Sequence, residues 1–234
     1  TYYSSRNNSE HLKIKSPSLY KDDIMSYFSD DVKGGLPLPY IKTEEDFRIR
    51  MGELTIVSGY SGHGKTAWLS HVMLHLCKTT KALIASFEML PKATLGRMCM
   101  QTNNSDPSEL YIDDFLAKIE HKLYLYDAEG ETSAEKVLSV IYYAAENKLA
   151  VAARDLKIHI FLVAHSRKTA DEHGSPSKFD VAGSANITNM ADNSISVHRN
   201  KKKEKELQEG ADPQELKNLP DCTVYLNKQS IWKS

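Results

Sequence analysis

The stretch GELTIVSGYSGHGKT (52–66) places an apolar run before three closely spaced glycines and a lysine–threonine pair. LTIVS (54–58) has the composition of a short buried strand, and KTAWLSHVMLHLCK (65–78) has the apolar spacing of a helix. The loop between them satisfies the pattern G-x-x-x-x-G-K-[ST]. Backbone N–H groups that wrap a polyphosphate need positive φ angles and close approach of the main chain, which glycine permits. The stretch therefore predicts a strand, a phosphate-binding loop and a helix in succession.

Within this loop each polar group has a chemical reason to be where it is. Lys65 supplies a positive charge for the β- and γ-phosphates, and the Thr66 hydroxyl is a ligand for Mg²⁺. The helix that begins at Lys65 adds the positive end of its dipole. We predict ATP, or another nucleoside triphosphate, and Mg²⁺ as cofactors. The predicted nucleotide-binding residues are Gly59, Tyr60, Ser61, Gly62, His63, Gly64, Lys65, Thr66 and Ala67.

The rest of the chain alternates between strand and helix patterns. Helices are predicted over 91–101 and over 133–145, the second with a serine cap. Apolar runs separated by helices are typical of an α/β protein with a mostly parallel central sheet flanked by helices. The further predicted strands are KALIASFEM (81–89), HKLYLYD (121–127), IHIFLVAHS (158–166), SISVH (194–198) and CTVYL (222–226).

Composition places the chain among soluble globular proteins. Its 234 residues are 41% hydrophobic and 26% charged, with a formal net charge of −1. We find no apolar run long enough to span a membrane and no signal peptide. The three cysteines, Cys77, Cys99 and Cys222, lack metal-ligand spacing, so we expect buried, reduced thiols in a cytoplasmic compartment. Because the sequence begins at Thr1, we expect it to be a fragment of a longer chain.

The sequence divides into three parts. Residues 1–32 form an N-terminal segment with a helix over 15–31, which packs either on a neighbouring subunit or on its own core. Residues 33–51 are broken by glycine and proline and are predicted to be a connector. Residues 52–234 form the main domain. Within it, the charged stretch 200–219 is predicted to be a solvated surface segment, and the alternative is a basic contact site at Lys201–Lys203.

Hydrolysis of the nucleotide would require carboxylates beside the loop. Glu88 ends the strand 81–89, where it could orient water if that strand neighbours the first; capping of the strand end is the alternative. An apolar strand ending in a Mg²⁺-binding aspartate is expected after helix 133–145, and the sequence does not contain one. We therefore expect a segment to be missing near Ala145–Glu146, with Asp127 as a weaker substitute for the aspartate.

Five stretches together resemble the RecA-type motor domain of hexameric replicative helicases, in their order and spacing. The likeness is to the DnaB family and to phage and mitochondrial (Twinkle-like) primase-helicases, and it covers about 50–200 and the hairpin near 222–230. The fold implied is a RecA-like P-loop NTPase with an N-terminal linker helix. The stretches are GELTIVSGYSGHGKT (52–66), SFEM (86–89), LYLYD (123–127), LVAHSRK (162–168) and DVAGSANITNMADNSISVHRN (180–200).

The resemblance implies roles for particular residues. Glu88 and Lys65 correspond to catalytic residues, and His165 to the polar sensor of the γ-phosphate. Arg199 matches an arginine that packs on the base, and Lys228 a lysine inserted toward the nucleotide of the next subunit. The DNA-binding residues implied are Arg167, Lys168, Gly183, Ser184 and Ala185.

Two features depart from the family pattern. Ser230 stands where the family places an arginine finger, and IWKS follows it directly, so we expect a second missing segment near Ser230–Ile231. The sequence also has no primase or zinc-binding segment, so a primase domain or partner would lie outside it.

The function predicted is an ATP-dependent DNA helicase motor. The expected partners are single-stranded DNA and further copies of the chain in a hexameric ring, with no membrane. The expected location is the cytoplasm of a bacterium or a phage-infected cell, and a mitochondrial matrix origin is also compatible. The alternatives are a RecA/RadA-like recombination ATPase that forms filaments on DNA, and a regulatory P-loop ATPase with no nucleic-acid role.

Overall fold

The computed structural model describes residues 15–28, 34–86, 89–103, 105–127, 133–146, 158–164 and 191–229. Its strands are β1 (Leu36–Pro37), β2 (Arg48–Ile49), β3 (Leu54–Ser58), β4 (Ala82–Ala85), β5 (Leu123–Tyr126), β6 (Ile160–Val163), β7 (Asn193–Arg199) and β8 (Cys222–Gln229). Its α-helices are α1 (Lys21–Phe28), α2 (Lys65–Leu76), α3 (Pro91–Asn103), α4 (Glu109–Ile119), α5 (Ala134–Glu146) and α6 (Lys201–Gln208). None of the helices in these ranges is long and apolar enough to cross a membrane.

The main sheet has the strand order β6-β3-β7-β8. Strands β6, β3 and β7 are parallel, and β8 returns antiparallel to β7. A second, parallel pair joins β4 to β5, and a short antiparallel pair joins β1 to β2. The predicted α/β fold with a mostly parallel central sheet flanked by helices is therefore confirmed.

The core lies around the two central strands. Ile56 and Val57 of β3 and Val197 of β7 are fully buried, because each of these strands has a strand on both sides. Trp68 and Val72 of α2 pack into the same cluster. The interior of β3 is therefore rigidly held, and it fixes the position of the loop that follows Ser58.

The segment 33–51, predicted to be a connector, also contributes to the hydrophobic core. Leu38, Phe47 and Ile49 are buried in the same cluster as α2. The β1–β2 pair closes this segment into a small hairpin-like unit on the edge of the core. Glycine and proline in this stretch therefore mark turns within a packed segment.

The N-terminal α-helix begins later than the predicted start at residue 15, and residues 29–31 at its predicted end lie outside the described residues. A 3₁₀ turn over Pro17–Tyr20 leads into α1, where proline fits the first turn because its missing N–H would be unpaired there. The apolar side chains of Leu19, Ile24 and Met25 are exposed. These three side chains are therefore not buried on the described core of the single chain.

Helices α4 and α6 are not predicted by the sequence patterns. The Ser108 hydroxyl accepts a hydrogen bond from the Tyr111 N–H and caps α4. Asn200 caps α6 in the same way, by accepting from the Lys203 N–H at 3.0 Å. For α5 the predicted serine cap is confirmed, since the Ser133 hydroxyl accepts from the Lys136 N–H.

The three cysteines differ in exposure. Cys77 and Cys99 are buried as expected, and burial raises the pKa of Cys77 to about 11. Cys222 is exposed, so the expectation of a buried thiol is wrong there. The reason is its position at the start of β8, which is the edge strand of the main sheet among the described residues.

Candidate nucleotide-binding site

The glycine loop connects the carboxyl end of β3 to the start of α2. β3 lies in the middle of the parallel part of the sheet, between β6 and β7. In open α/β sheets, ligands bind at the carboxyl ends of such strands, where the loops diverge. The fold thus places GYSGHGKT at the position where this class of sheet holds its ligands.

The backbone of the loop has the geometry that the glycine pattern predicts. Gly59, Gly62 and Gly64 have φ angles of 148°, 77° and 88°. Gly64 is the N-cap of α2, and no side chain caps this helix, so its first N–H groups face the loop. Such uncapped N–H groups at a helix N-terminus form an anion-binding site.

Lys65 is buried beneath the loop, with 5% of its surface exposed. Its Nζ donates hydrogen bonds to the carbonyl oxygens of Gly59 at 2.8 Å and Tyr60 at 2.9 Å. A buried ammonium beside the positive end of α2 concentrates positive potential at one point of the loop. A phosphate group fits this environment, because it would bring negative charge to both sources at once.

Thr66 lies in the first turn of α2, and its side chain is exposed. A hydroxyl oxygen is a suitable ligand for Mg²⁺, which prefers oxygen donors and usually binds through substrate phosphates and few protein groups. Among the described residues no group of three or more His, Cys, Asp and Glu could hold a metal ion by itself. The residues present therefore fit Mg²⁺ held jointly by Thr66 and a bound polyphosphate.

The outer residues of the loop are accessible. Ser61, Gly62 and Ala67 are exposed, and Tyr60 is buried. Gln101 of α3 donates from Nε2 to the carbonyl oxygen of Ala67 at 3.0 Å, which ties the first turn of α2 to α3.

His63 has a structural role inside the loop. It is 1% exposed, and its ring lies edge-on to Tyr60 and to His198 of β7, with centroids 5.3 and 5.1 Å apart. Its Nδ1 accepts a hydrogen bond from the backbone N–H of Arg199 at 3.3 Å. His63 therefore joins the phosphate loop to the carboxyl end of β7.

Arg199 ends β7 on the same side of the sheet as the loop. Its guanidinium pairs with Glu204 of α6, with Nη2 2.9 Å from Oε1. About half of the Arg199 side chain is exposed, so this surface pair is weak and the guanidinium can exchange partners. The structure thus places Arg199 beside the loop but does not test its predicted contact with a base.

Lys228 lies at the other end of the hairpin. It pairs with Ser194, near the start of β7, and its Nζ donates to the carbonyl oxygen of Ala191 at 2.5 Å. Within one chain Lys228 and the phosphate loop are therefore at opposite ends of the strands.

Seven predicted site residues lie outside the described residues: Glu88, His165, Arg167, Lys168, Gly183, Ser184 and Ala185. The strand before Glu88 can still be placed. β4 pairs with β5, whereas the neighbours of β3 are β6 and β7. Among the described strands β4 is thus not a neighbour of β3, and Asp127, which is exposed, follows β5.

Sequence reasoning missed three contributors to the site. His198 packs on His63, Glu204 pairs with Arg199, and Gln101 holds the first turn of α2. Only His198 carried a local signal, since it precedes Arg199 in a predicted strand. The other two depend on where α3 and α6 pack, which no local pattern specifies.

Comparison with known proteins agrees with this fold. No protein-family model matches the chain, and no curated protein matches its sequence. Among solved structures, one ATPase domain has a TM-score of 0.63 at 14% identity, over 96% of this chain and 92% of that one. A DnaB-like replicative helicase, described with its interactions with primase, has a TM-score of 0.66 at 13% identity, over 95% of this chain and 65% of that one.

These similarities define a class by its fold. The chain has the RecA-like P-loop fold of replicative helicase ATPase domains, which confirms at the level of the fold the resemblance found in the sequence. It spans less than two thirds of the DnaB-like chain. Activity, substrates and partners do not follow from the fold alone.

Proposed function

We propose that this chain is the ATPase motor of a replicative DNA helicase. The observation that carries the proposal is Lys65, buried beneath a glycine loop at the carboxyl end of the central strand and donating to two loop carbonyl groups. ATP with Mg²⁺ is the proposed cofactor, with Thr66 as the metal ligand and Gly59 to Ala67 around the phosphates. Glu88 and His165 are the proposed water-activating residue and γ-phosphate sensor.

The proposed assembly is a hexameric ring, with nucleotides between subunits. Two observations support sites shared between subunits. Lys228 lies away from the phosphate loop of its own chain, so it could act only on another subunit. Leu19, Ile24 and Met25 expose apolar surface on the N-terminal helix, as a segment that docks on a neighbour would.

Single-stranded DNA is the proposed substrate of the motor. The proposed contacts come from Arg167, Lys168, Gly183, Ser184 and Ala185. Positively charged side chains and backbone N–H groups of strand-end loops can bind the phosphates of one strand without reading its sequence. The work of the ring would be carried out in the cytoplasm of a bacterium or of a phage-infected cell.

Two alternatives remain to be distinguished by experiment. A RecA/RadA-like recombination ATPase would form open filaments on DNA. A regulatory ATPase would hydrolyse ATP at a rate that DNA does not change. The helicase interpretation is favoured by the structure of the DnaB-like replicative helicase, which shares this fold.

The test combines three measurements on one preparation: ATP hydrolysis with and without single-stranded DNA, unwinding of a forked duplex, and electron microscopy with ATP and DNA. The proposal predicts DNA-stimulated hydrolysis, unwinding and closed rings. Filaments without unwinding would indicate a recombinase. Hydrolysis that DNA leaves unchanged, without rings, would indicate a regulatory ATPase.

A paired substitution tests the DNA contacts. Arg167→Ala with Lys168→Ala should weaken binding of single-stranded DNA and reduce the slope of log affinity against log salt by roughly 0.7 per lost phosphate contact. Lys201→Ala with Lys202→Ala is the matched control, because it removes the same charge from exposed positions of α6. Equal weakening in both pairs would place the DNA contacts elsewhere.

A further inference from the structure

Strand β7 extends beyond the end of β3, and the phosphate loop lies beside this extension. The last paired residues of the two strands are Ser58 and Ser196, whereas β7 continues to Arg199. The main chain of the loop passes directly against the extension, since a Cβ added to Gly59 would lie 2.4 Å from the Val197 carbonyl oxygen. The loop therefore follows the edge of β7 along which β3 no longer runs.

The Arg199 N–H belongs to this edge of β7. Because the Asn200 N–H donates to the Asp221 carbonyl oxygen on the β8 side at 2.8 Å, the N–H of the preceding residue is directed away from β8. It donates to Nδ1 of His63 at 3.3 Å. A side chain of the loop thus accepts the hydrogen bond that a backbone carbonyl group would accept if β3 were longer.

His63 has little freedom inside the loop. It is 1% exposed, and its ring lies edge-on to Tyr60 and to His198. Its own carbonyl oxygen accepts a weak hydrogen bond from Cys222 Sγ, at 3.9 Å, from the start of β8. A backbone N–H only donates, so the Nδ1 that faces Arg199 carries no proton. His63 therefore joins the loop to both strands of the β7–β8 hairpin.

The side chain of Arg199 is available to a ligand. About half of it is exposed, and its surface pair with Glu204 is of a kind that contributes little to stability. The positive groups that suit phosphate are Lys65 and the first turn of α2, whereas a planar guanidinium stacks on flat aromatic rings such as a nucleobase. The hydrogen bond to His63 therefore sets the position of Arg199 relative to the place where phosphates would bind.

We infer that His63 is a positioning residue for Arg199, holding this arginine in register with the phosphate loop. A nucleotide bound by the loop then meets the guanidinium with its base. The inference rests on the proposed function, which supplies ATP as the ligand, and on the predicted contact of Arg199 with the base. His63 acts through Arg199, so it contributes to the part of the affinity that depends on the base.

Two substitutions separate the hydrogen bond of His63 from the shape of its side chain. In His63→Asn the amide oxygen is as many bonds from Cα as Nδ1 is, so it can accept from the Arg199 N–H. In His63→Leu a methyl group takes the same place and cannot accept. The two side chains are nearly equal in size, which makes them a matched pair.

Calorimetric titration in the presence of Mg²⁺ compares a non-hydrolysable ATP analogue with tripolyphosphate, which has no base. His63→Leu should bind the analogue roughly tenfold more weakly than the wild type, because one hydrogen bond is lost. It should bind tripolyphosphate within about twofold of the wild type, since Lys65 and the helix N-terminus are unchanged. His63→Asn should restore binding of the analogue to within about threefold of the wild type.

Arg199→Ala tests whether the effect of His63 passes through Arg199. Residues that act through one group are not additive, so His63→Leu should weaken binding of the analogue by no more than about twofold when Arg199 is already alanine. A further tenfold loss would overturn the inference. Equal weakening of the analogue and of tripolyphosphate by His63→Leu would also overturn it, and so would equal affinities of the His63→Leu and His63→Asn chains for the analogue. A wild-type chain that binds neither ligand would overturn the proposed function together with this inference.

Hydrogen–deuterium exchange tests the contact without any nucleotide. The Arg199 amide should exchange at least about tenfold faster in His63→Leu than in His63→Asn. The Asn200 amide, bonded to the Asp221 carbonyl oxygen, is the internal control and should exchange equally in both. Equal exchange at Arg199 would overturn the inference and leave the proposed function standing. Faster exchange at both amides would overturn it as well, by assigning His63 to the stability of the whole hairpin.

Discussion

The three glycines of the phosphate loop have different reasons to be glycine. A Cβ added to Gly59 would lie 2.4 Å from the carbonyl oxygen of Val197, whereas one added to Gly62 or Gly64 would meet nothing within 4 Å. Gly59 is required because the main chain of the loop passes directly against β7. Gly62 and Gly64 are required only for their positive φ angles.

Gly59→Ala should destabilise the fold as well as the site. The new methyl group would push the loop away from Val197, and a positive φ strains any residue with a side chain, so we expect a loss of roughly 1–3 kcal/mol in the free energy of unfolding. Gly96→Ala is the matched control, since Gly96 lies inside α3 with open space and an ordinary φ. Gly96→Ala should raise the free energy of unfolding by about 0.5–1 kcal/mol. Urea denaturation measures the change in the free energy of unfolding for both variants. Equal changes would contradict the close contact of Gly59 with Val197 as the reason for glycine at this position.

Single residues are predictable from the sequence where local pattern decides their role. The spacing of the loop sequence is enough to predict the roles of its glycines, of Lys65 and of Thr66. The Gly59–Val197 approach and the His63–Arg199 hydrogen bond join positions far apart in the chain. They depend on β7 lying beside β3, and the sequence does not specify which strands are neighbours.

At the scale of single elements, the charge-rich helix α6 contains two kinds of lysine. Lys202 and Lys205 form exposed i,i+4 pairs with Glu206 and Glu209, at 3.9 and 3.6 Å. Lys203 is 10% exposed and donates to the Leu219 carbonyl oxygen at 2.6 Å. The first part of the predicted solvated segment is therefore a helix with one side fixed to the chain that follows it.

Substitution should separate these two kinds of lysine. Lys203→Ala removes a buried side chain together with its hydrogen bond to the Leu219 carbonyl and its ion pair with Asp221, so we expect it to lower the free energy of unfolding by roughly 1–3 kcal/mol. Lys202→Ala removes only a surface pair and should cost under about 0.5 kcal/mol. Thermal denaturation of the two variants checks this difference. A Lys203 effect as small as that of Lys202 would refute it.

A polar network lies at the amino ends of the central strands. His159 Nδ1 is 2.7 Å from the Arg50 carbonyl oxygen, and its Nε2 is 2.9 Å from the Thr55 hydroxyl. The carbonyl accepts from Nδ1–H, so Nε2 accepts from the hydroxyl and the imidazole is neutral. Burial is the main cause that lowers the pKa of His159 from 6.5 to about 4, against the raising effects of the Arg50 hydrogen bond and of Asp192.

This network predicts a loss of stability in mild acid. Between pH 6.5 and 4 the unfolded chain binds a proton at His159 that the folded chain does not. The free energy of unfolding therefore decreases as the pH is lowered through this range, by up to about 3 kcal/mol. Burial raises the pKa of Glu53, which acts in the opposite direction. His159→Gln should flatten the dependence over this range. Urea denaturation from pH 7 to 4 measures it, and identical slopes in the two proteins would contradict the prediction.

Elements are predicted most accurately where composition and period agree. β3 has its predicted bounds, 54–58, because an apolar run meets a glycine loop. Helix α6 is not predicted, because it has almost no apolar residues. It is stabilised by the Asn200 cap and by the hydrogen bond of Lys203. The predicted N-terminal helix starts too early, since Pro17–Tyr20 forms a 3₁₀ turn and α1 begins at Lys21.

At the scale of the whole molecule, the structure is a parallel sheet around β3 with the phosphate loop at its carboxyl end. The sequence predicts this class because apolar strands and helices alternate along the chain. It also predicts that a strand is missing after α5. It cannot predict that β4 and β5 stand as a separate pair, since strand order is decided by packing across the sheet.

The most direct test of the phosphate site is calorimetric titration of the protein with a non-hydrolysable ATP analogue in the presence of Mg²⁺. We expect binding to the wild-type chain and a loss of roughly 100-fold in affinity on Lys65→Ala, equivalent to about 2.7 kcal/mol. Lys42→Ala, at an exposed turn between β1 and β2, is the matched control and should bind as the wild type does. Equal affinities for the Lys65→Ala and Lys42→Ala chains would contradict the assignment of GYSGHGKT as the phosphate site.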